Sequence, residues 1–344
     1  MKKTLLFSLI LVALSAPLFA QGDSEEAAVK EDDGKVKVAL IVENTIDDKG
    51  WCQAMHDGIL GAQEQMPGVF EYNYSEKMKP VDAGSAARQY VADGYDIIIG
   101  HGAQYKNLIL EMADEYPDVT FAFGTSAEVG PDNVVTYMPE SEETGYLSGI
   151  IAASVSNDDV LGVVGPVDGG DAARYNRGFV LGAKSVNPNA KIMVAHTGSF
   201  SDFIKAGQVA QSQIKAGADV LTGSSQQALG ALRATADFPN DEIWWVGQDL
   251  AQLKMEEGQM KCLAASSYDY APVIISLVEN VQNGVKGGYC VPMNFANAGF
   301  VFGFNEALEN VYGADVKTAV EAKISEFVNN PNSIDWKSVD YSQL

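Results

Sequence analysis

Histidine, cysteine and positive charge are all scarce in this chain. Three histidines, His56, His101 and His196, stand among 344 residues, and no serine occupies a Gly-x-Ser-x-Gly elbow. No Gly-x-x-x-x-Gly-Lys-Ser/Thr loop is there to cradle a phosphate, and Gly100–Gly102 lacks the third glycine of a dinucleotide fingerprint. Lysine and arginine total 23 against 46 acids, a formal charge of −23. Such acidity opposes nucleic acid and anionic lipid surfaces, which need clustered basic residues. Cys52, Cys262 and Cys290 are the three cysteines, and no pair has metal-ligand spacing, so no metal site is expected. Two readings of them stand: a Cys262–Cys290 disulfide with one free thiol, or three buried reduced thiols. Beyond the first twenty residues, no apolar run is long enough to span a bilayer. A catalyst and a membrane span both lack support.

The start of the chain reads as a processing signal. Lys2 and Lys3 precede an apolar run from Thr4 to Phe19, and residues 1–20 form an export signal cut after Ala20. No cysteine follows the cut, so no lipid anchor is expected. Residues 21–35, QGDSEEAAVKEDDGK, make a flexible acidic leader. A soluble periplasmic protein is the expectation.

From Val36 onward, short apolar runs alternate with helical patterns. Val36–Val42, Val69–Tyr74, Ile97–Gly100, Thr120–Phe123 and Val134–Tyr137 form one strand series, and Leu161–Val164, Lys191–Ala195, Val220–Thr222 and Ile243–Val246 a second. Continuous apolar strands between helices are the pattern of doubly wound parallel sheets covered on both faces. About 310 residues exceed one comfortable core, so two lobes are expected. The boundaries read 36–139 plus 263–298 for the first lobe, and 140–262 plus 299–344 for the second. Several crossings make a hinge, and the cleft between lobes is the natural pocket.

Ligands of open α/β sheets bind at the carboxyl ends of the strands. The run VKVALIVENTIDDKGWCQAMHDGILG places Asp48, Trp51 and Cys52 just there in the first lobe. His101 and Gly102 follow a later strand of the same series, with His101 either exposed to the cleft or a satisfied interior polar residue. Facing them from the second lobe are Phe200, Ser224, Gln248 and Asp249, and Asp269 follows the next crossing. Trp51 has nothing evident to pack against, which suggests a planar ligand resting on it; a core aromatic at a helix start is the alternative. Phe200 could equally pack ahead of a helix capped by Asp202, and Asp249 could be a turn residue. His56, five residues into its helix, reads as an interior polar group.

The segments DDKGWCQAMHDG, EETGYLSGIIAA, NRGFVLGAKSVNP and GSFSDFIKAGQVAQSQIKAGADV resemble the basic membrane protein family, solute-binding proteins of ABC importers close to the purine nucleoside receptor type. That resemblance implies a type I periplasmic-binding-protein fold, two doubly wound parallel-sheet lobes joined by a hinge. It implies a monomer without a cofactor that captures a ligand without chemistry and presents it to a permease with a separate ATPase. In the nucleoside-binding branch a stacking aromatic is followed by Asn; here Trp51 and Cys52 take those places. The second ring maps to Phe200, and the Gly-Val-Asp motif to Gly247–Gln248–Asp249. A sugar-contacting Lys should fall near Ser266 to Asp269, where the chain reads SSYDY. A purine base therefore leads, with a nucleoside next. Sugar binding, signal sensing by the same fold, and an exported nucleoside hydrolase are the other readings.

Overall fold

The computed structural model describes residues 34–344, so the export signal and nearly all of the acidic leader lie outside the described residues. The first lobe runs β1 (Val36–Ile41), α1 (Trp51–Gln65), β2 (Phe70–Ser75), α2 (Pro80–Ala92), β3 (Ile97–Gly100), α3 (Lys106–Glu115), β4 (Thr120–Gly124) and β5 (Val134–Pro139). The chain then crosses to α4 (Glu142–Val155), β6 (Val160–Gly165), α5 (Gly170–Val186), β7 (Lys191–His196), α6 (Phe203–Lys215), β8 (Val220–Gly223), α7 (Ala228–Ala236), β9 (Trp244–Gly247), α8 (Glu256–Lys261) and β10 (Cys262–Tyr268). It returns for α9 (Ala271–Gln282) and β11 (Tyr289–Met293), and ends in the second lobe with β12 (Phe300–Phe304) and α10 (Glu309–Asn329).

Each lobe holds a six-stranded sheet, ordered β11-β5-β4-β3-β1-β2 and β12-β10-β9-β8-β6-β7. Every pairing is parallel except β10 with β12. The doubly wound, two-lobed architecture expected from the alternation is therefore present. Central strands such as β3 and β8 are buried along their whole length, because helices cover both faces.

One boundary is corrected. The segment from residue 263 was expected in the first lobe, but β10 pairs with β9 and β12 in the second sheet. The crossing falls after Tyr268 instead. A short apolar run carries no mark of which sheet it joins, and Cys262–Ala265 looks like any buried strand. The cysteines are all free, with Cys52 and Cys262 buried and Cys290 half-buried.

The crossing segments are tied together by carboxylates. Glu140 N–H donates to the Met293 carbonyl at 2.7 Å, and Asn294 Nδ2 donates to Glu140 Oε2 at 2.8 Å. Phe295 N–H donates to Glu143 Oε2 at 2.9 Å. Arg174 pairs with both Glu142 and Glu140, so one guanidinium serves two of the three buried acids. Burial first, then its bonds and neighbours, sets the Glu143 carboxyl at about 7.

The second lobe is held to its own first helix by glycine. Gly145 and Gly149 of α4 face Gly178 and Gly182 of α5, and a Cβ on any of them would strike backbone of the other helix. This close approach explains why the two motifs ETGYLSG and RGFVLG occur in one chain: each supplies two glycines four positions apart, on one helix face. Overpacking a tight contact typically costs about 1–3 kcal/mol, and here the obstacle is backbone that cannot rotate away. Gly149→Ala should lower the urea midpoint of the protein markedly, by an amount equivalent to about 2 kcal/mol or more. An unchanged midpoint would mean that the helices can separate at no cost.

Candidate functional site

The site begins where α1 begins. Asp48 lies three residues before Trp51, the first residue of α1, and its carboxylate accepts the N–H groups of Gly50 (3.0 Å), Cys52 (3.3 Å) and Gln53 (3.1 Å). These are orphan donors of the first turn, and a carboxylate there also suits the helix dipole. Capping fixes the direction in which Trp51 leaves the loop.

Trp51 stacks on His101, with ring centroids 4.4 Å apart and planes 12° from parallel. The tryptophan, expected to have nothing in the protein to pack against, is therefore covered by a protein ring on one face. His101 is 1 % exposed, which corrects the reading that it faces the cleft. Gly100, Gly102 and the short loop turn it inward, where burial lowers its pKa to about 3. Neutral imidazole has one donor and one acceptor. Nε2 lies 3.0 Å from the Trp51 carbonyl, which can only accept, so Nε2 carries the hydrogen. Nδ1 then accepts from the Tyr137 hydroxyl at 2.7 Å. Trp51 Nε1 donates back to the His101 carbonyl at 3.3 Å.

Two further rings enclose the tryptophan. Tyr268 and Tyr270 meet it edge-to-face at 5.2 and 5.7 Å, so Trp51 touches a residue at the end of the second lobe's β10. The Tyr268 hydroxyl donates to Asp171 Oδ2 at 2.7 Å and accepts from Gln248 Nε2 at 3.0 Å. Gln248 Oε1 in turn accepts from Ser225 N–H at 2.9 Å. Sequence reasoning missed Tyr268, Tyr270, Tyr137 and Asp171. The signal for the first two is in SSYDY, where two tyrosines bracket the crossing.

The remaining expected residues fall into two groups. Asp249 and Asp269 line a cavity of about 790 Å³ between the lobes, together with Lys49, Gln53, Asp57 and Tyr268. Each carboxylate caps a following turn through one oxygen, to Ala251 N–H at 2.8 Å and Ala271 N–H at 2.9 Å. Phe200 is 50 % exposed, has no ring partner among the described residues, and precedes the helix that Asp202 caps. Cys52 and Ser224 face inward. Cys52 belongs to the first lobe's core, its thiol pushed far up by burial, while buried Ser224 donates to Asn176 Oδ1 at 3.1 Å. Gly102 serves the backbone, with φ at +134°. His56 bonds the Tyr72 hydroxyl at 3.0 Å, as an interior polar group should.

Residues 35–331 match the model of the Bmp family, described as ABC transporter substrate-binding protein, PnrA-like. A CD4+ T-cell-stimulating antigen of Listeria innocua is 29 % identical over 83 % of this chain and 82 % of its own. The ABC transporter nucleoside-binding protein BmpA of Lactococcus lactis is 24 % identical over 93 % of this chain and 97 % of its own. A purine-binding protein of Brucella abortus is 28 % identical over 55 % of this chain and 54 % of its own. Among solved structures, an ABC transporter solute-binding protein from Conexibacter woesei superposes with a TM-score of 0.71 at 23 % identity, over 86 % of this chain and 96 % of its own.

Asp249 gives the site a measurable pH signature. Burial, reinforced by Asp48 and Asp57 against Lys49, raises its carboxyl to about 7. Between its unfolded value near 4 and about 7, the folded protein holds this proton and the unfolded chain does not. Its contribution is therefore favourable in acid and is lost as pH rises through that window. His101 contributes the opposite slope, but equally in wild type and variant. Asp249→Asn should shrink the fall in Tm between pH 5 and pH 8 by a few degrees in scanning calorimetry. Parallel pH profiles for the two proteins would remove Asp249 from the titrating groups.

Proposed function

The chain belongs to the Bmp family of PnrA-like ABC transporter substrate-binding proteins, and from that premise we propose that it captures a planar purine-type ligand between its lobes. The carrying observation is Trp51, which is held by His101, two tyrosines and a capped helix at the carboxyl end of the first sheet. An indole fixed in this way loses little freedom when a flat ring joins it, so binding retains most of the contact energy. Half-exposed Phe200 supplies the second ring when the lobes close on the ligand. Base-on-aromatic stacking contributes about 1–3 kcal/mol per ring. The free oxygen of Asp249 accepts a ring N–H, a contact that fixes orientation. Hinge closure around a ligand is the general behaviour described for periplasmic binding proteins and is assumed here as such.

Nucleoside binding in a relative aligned over nearly the whole chain supports the ligand class. With tyrosine in place of a sugar-contacting lysine in SSYDY, a free base ranks ahead of a nucleoside. On this reading the protein works outside the cytoplasmic membrane, as a monomer, and hands its ligand to a permease driven by a separate ATPase.

Native mass spectrometry of freshly purified protein, followed by identification of any bound molecule, tests the ligand class directly. Calorimetric titration with adenine, guanine, their nucleosides and a free hexose tests its order. Phe200→Ala and Trp51→Ala should each weaken purine binding by about tenfold or more. Phe200 is the cleaner site, because a half-exposed ring can be removed with little effect on folding. Equal affinity of wild type and both variants would sink the stacking role.

A further inference from the structure

Away from the three crossing segments, one side-chain hydrogen bond joins the lobes among the described residues. Gln226 Nε2 donates to Asp48 Oδ2 at 3.0 Å, across 178 positions of sequence. Asp48 precedes α1 in the first lobe, and Gln226 lies in the turn between β8 and α7 of the second. Gly50 gives the amide its room, since a Cβ there would sit 3.3 Å from Gln226 Cγ.

Both ends of this bond are built in. Asp48 spends its two oxygens on three amides at the start of α1, those of Gly50, Cys52 and Gln53, and on Gln226, which leaves no free oxygen for a ligand. Gln226 follows Ser225, whose φ of +64° is costly for a residue with a side chain. That strained turn is pinned by Gln248 Oε1 on the Ser225 N–H, and Gln248 is pinned by Tyr268. Tyr268 meets Trp51, and Trp51 starts the helix that Asp48 caps. The bond thus closes a ring of contacts that passes through both lobes.

We propose that Gln226 and Asp48 form a latch that holds the lobes together without any ligand, with Gln248 a positioning residue for the latch rather than a reader of the ligand's edge. The latch sets how much of the free protein is closed. A ligand that needs the closed form then binds in proportion to that fraction. The proposal rests on the two-lobed closing fold and not on the purine assignment.

The test uses protein freed of carried ligand by unfolding in urea, dialysis and refolding, with X-ray scattering as readout. A hydrogen bond to a charged group is strong enough that its loss raises the open-to-closed ratio about tenfold. Gln226→Ala should therefore show a larger radius of gyration than wild type. Gln226→Glu, which sets a second carboxylate against Asp48, should show one at least as large. Because Gln226 is a half-buried loop residue, both variants should melt cooperatively near the wild-type temperature, which shows that they fold. Superimposable scattering curves for the three ligand-free proteins overturn the latch. This arm contains no purine, so a failure of the ligand assignment and a failure of the latch are read separately.

Discussion

The neutral imidazole of His101 is the constraint from which the first lobe's half of the site follows. Its ring lies flat under Trp51, its Nε2 hydrogen goes to the Trp51 carbonyl, and its Nδ1 takes the Tyr137 hydroxyl. A charged imidazole would have two donors and could not accept from Tyr137. Burial prevents that by making the charged form expensive. The indole is consequently fixed in plane by the ring beneath and in direction by its own bond to the His101 carbonyl. A surface tryptophan would be a flexible flap; this one is a wall.

The second lobe organises its half by different means. Glycines on α4 and α5 let two backbones touch, which leaves no slack between the helix that follows the first crossing and the helix that carries Arg174. Arg174 reaches back to Glu140 and Glu142 beside that crossing. Asp171, at the start of the same α5, holds the Tyr268 hydroxyl beside the second crossing. With Glu143 of α4 on the Phe295 N–H beside the third crossing, a single rigid pair of helices bears on all three connections between lobes. Sliding at the crossings would break these buried charge-assisted bonds, a cost that rotation about them avoids.

The fold was legible in the sequence because periodicity reports burial, and burial is what doubly wound sheets impose on every strand. The lobe boundary at Cys262 was not, since strand pairing is a long-range choice that a run such as CLAA does not encode. For the site, position was easier to read than use. Trp51, Asp249 and Asp269 stand at strand ends, as expected, and the last two line the cleft. Asp48, Ser224 and Gln248 stand there too, yet their polar atoms are already engaged by the protein. A sequence shows that a polar residue is near the cleft; it does not show how many of its hydrogen bonds are already made. The same limit hid the stack of His101 under Trp51, two residues fifty positions apart.

The electrostatics of the cleft narrow the ligand further. Burial raises the Asp249 carboxyl first, and Asp48 and Asp57 add repulsion that Lys49 opposes. Lys49, Arg233 and Lys254 also stand on the cavity wall, so the repulsion is local to Asp249 and its two acidic neighbours. A phosphate placed beside Asp249 would meet the same repulsion and would also lose its water. A neutral heterocycle with a ring N–H meets none of it, and its donor partners the one oxygen of Asp249 left free by the Ala251 cap. Tyr268 could not compensate an anion, because its hydroxyl already donates to Asp171. On the proposed function, selection for uncharged bases over nucleotides needs no dedicated gate. It follows from one desolvated carboxyl with two others close by.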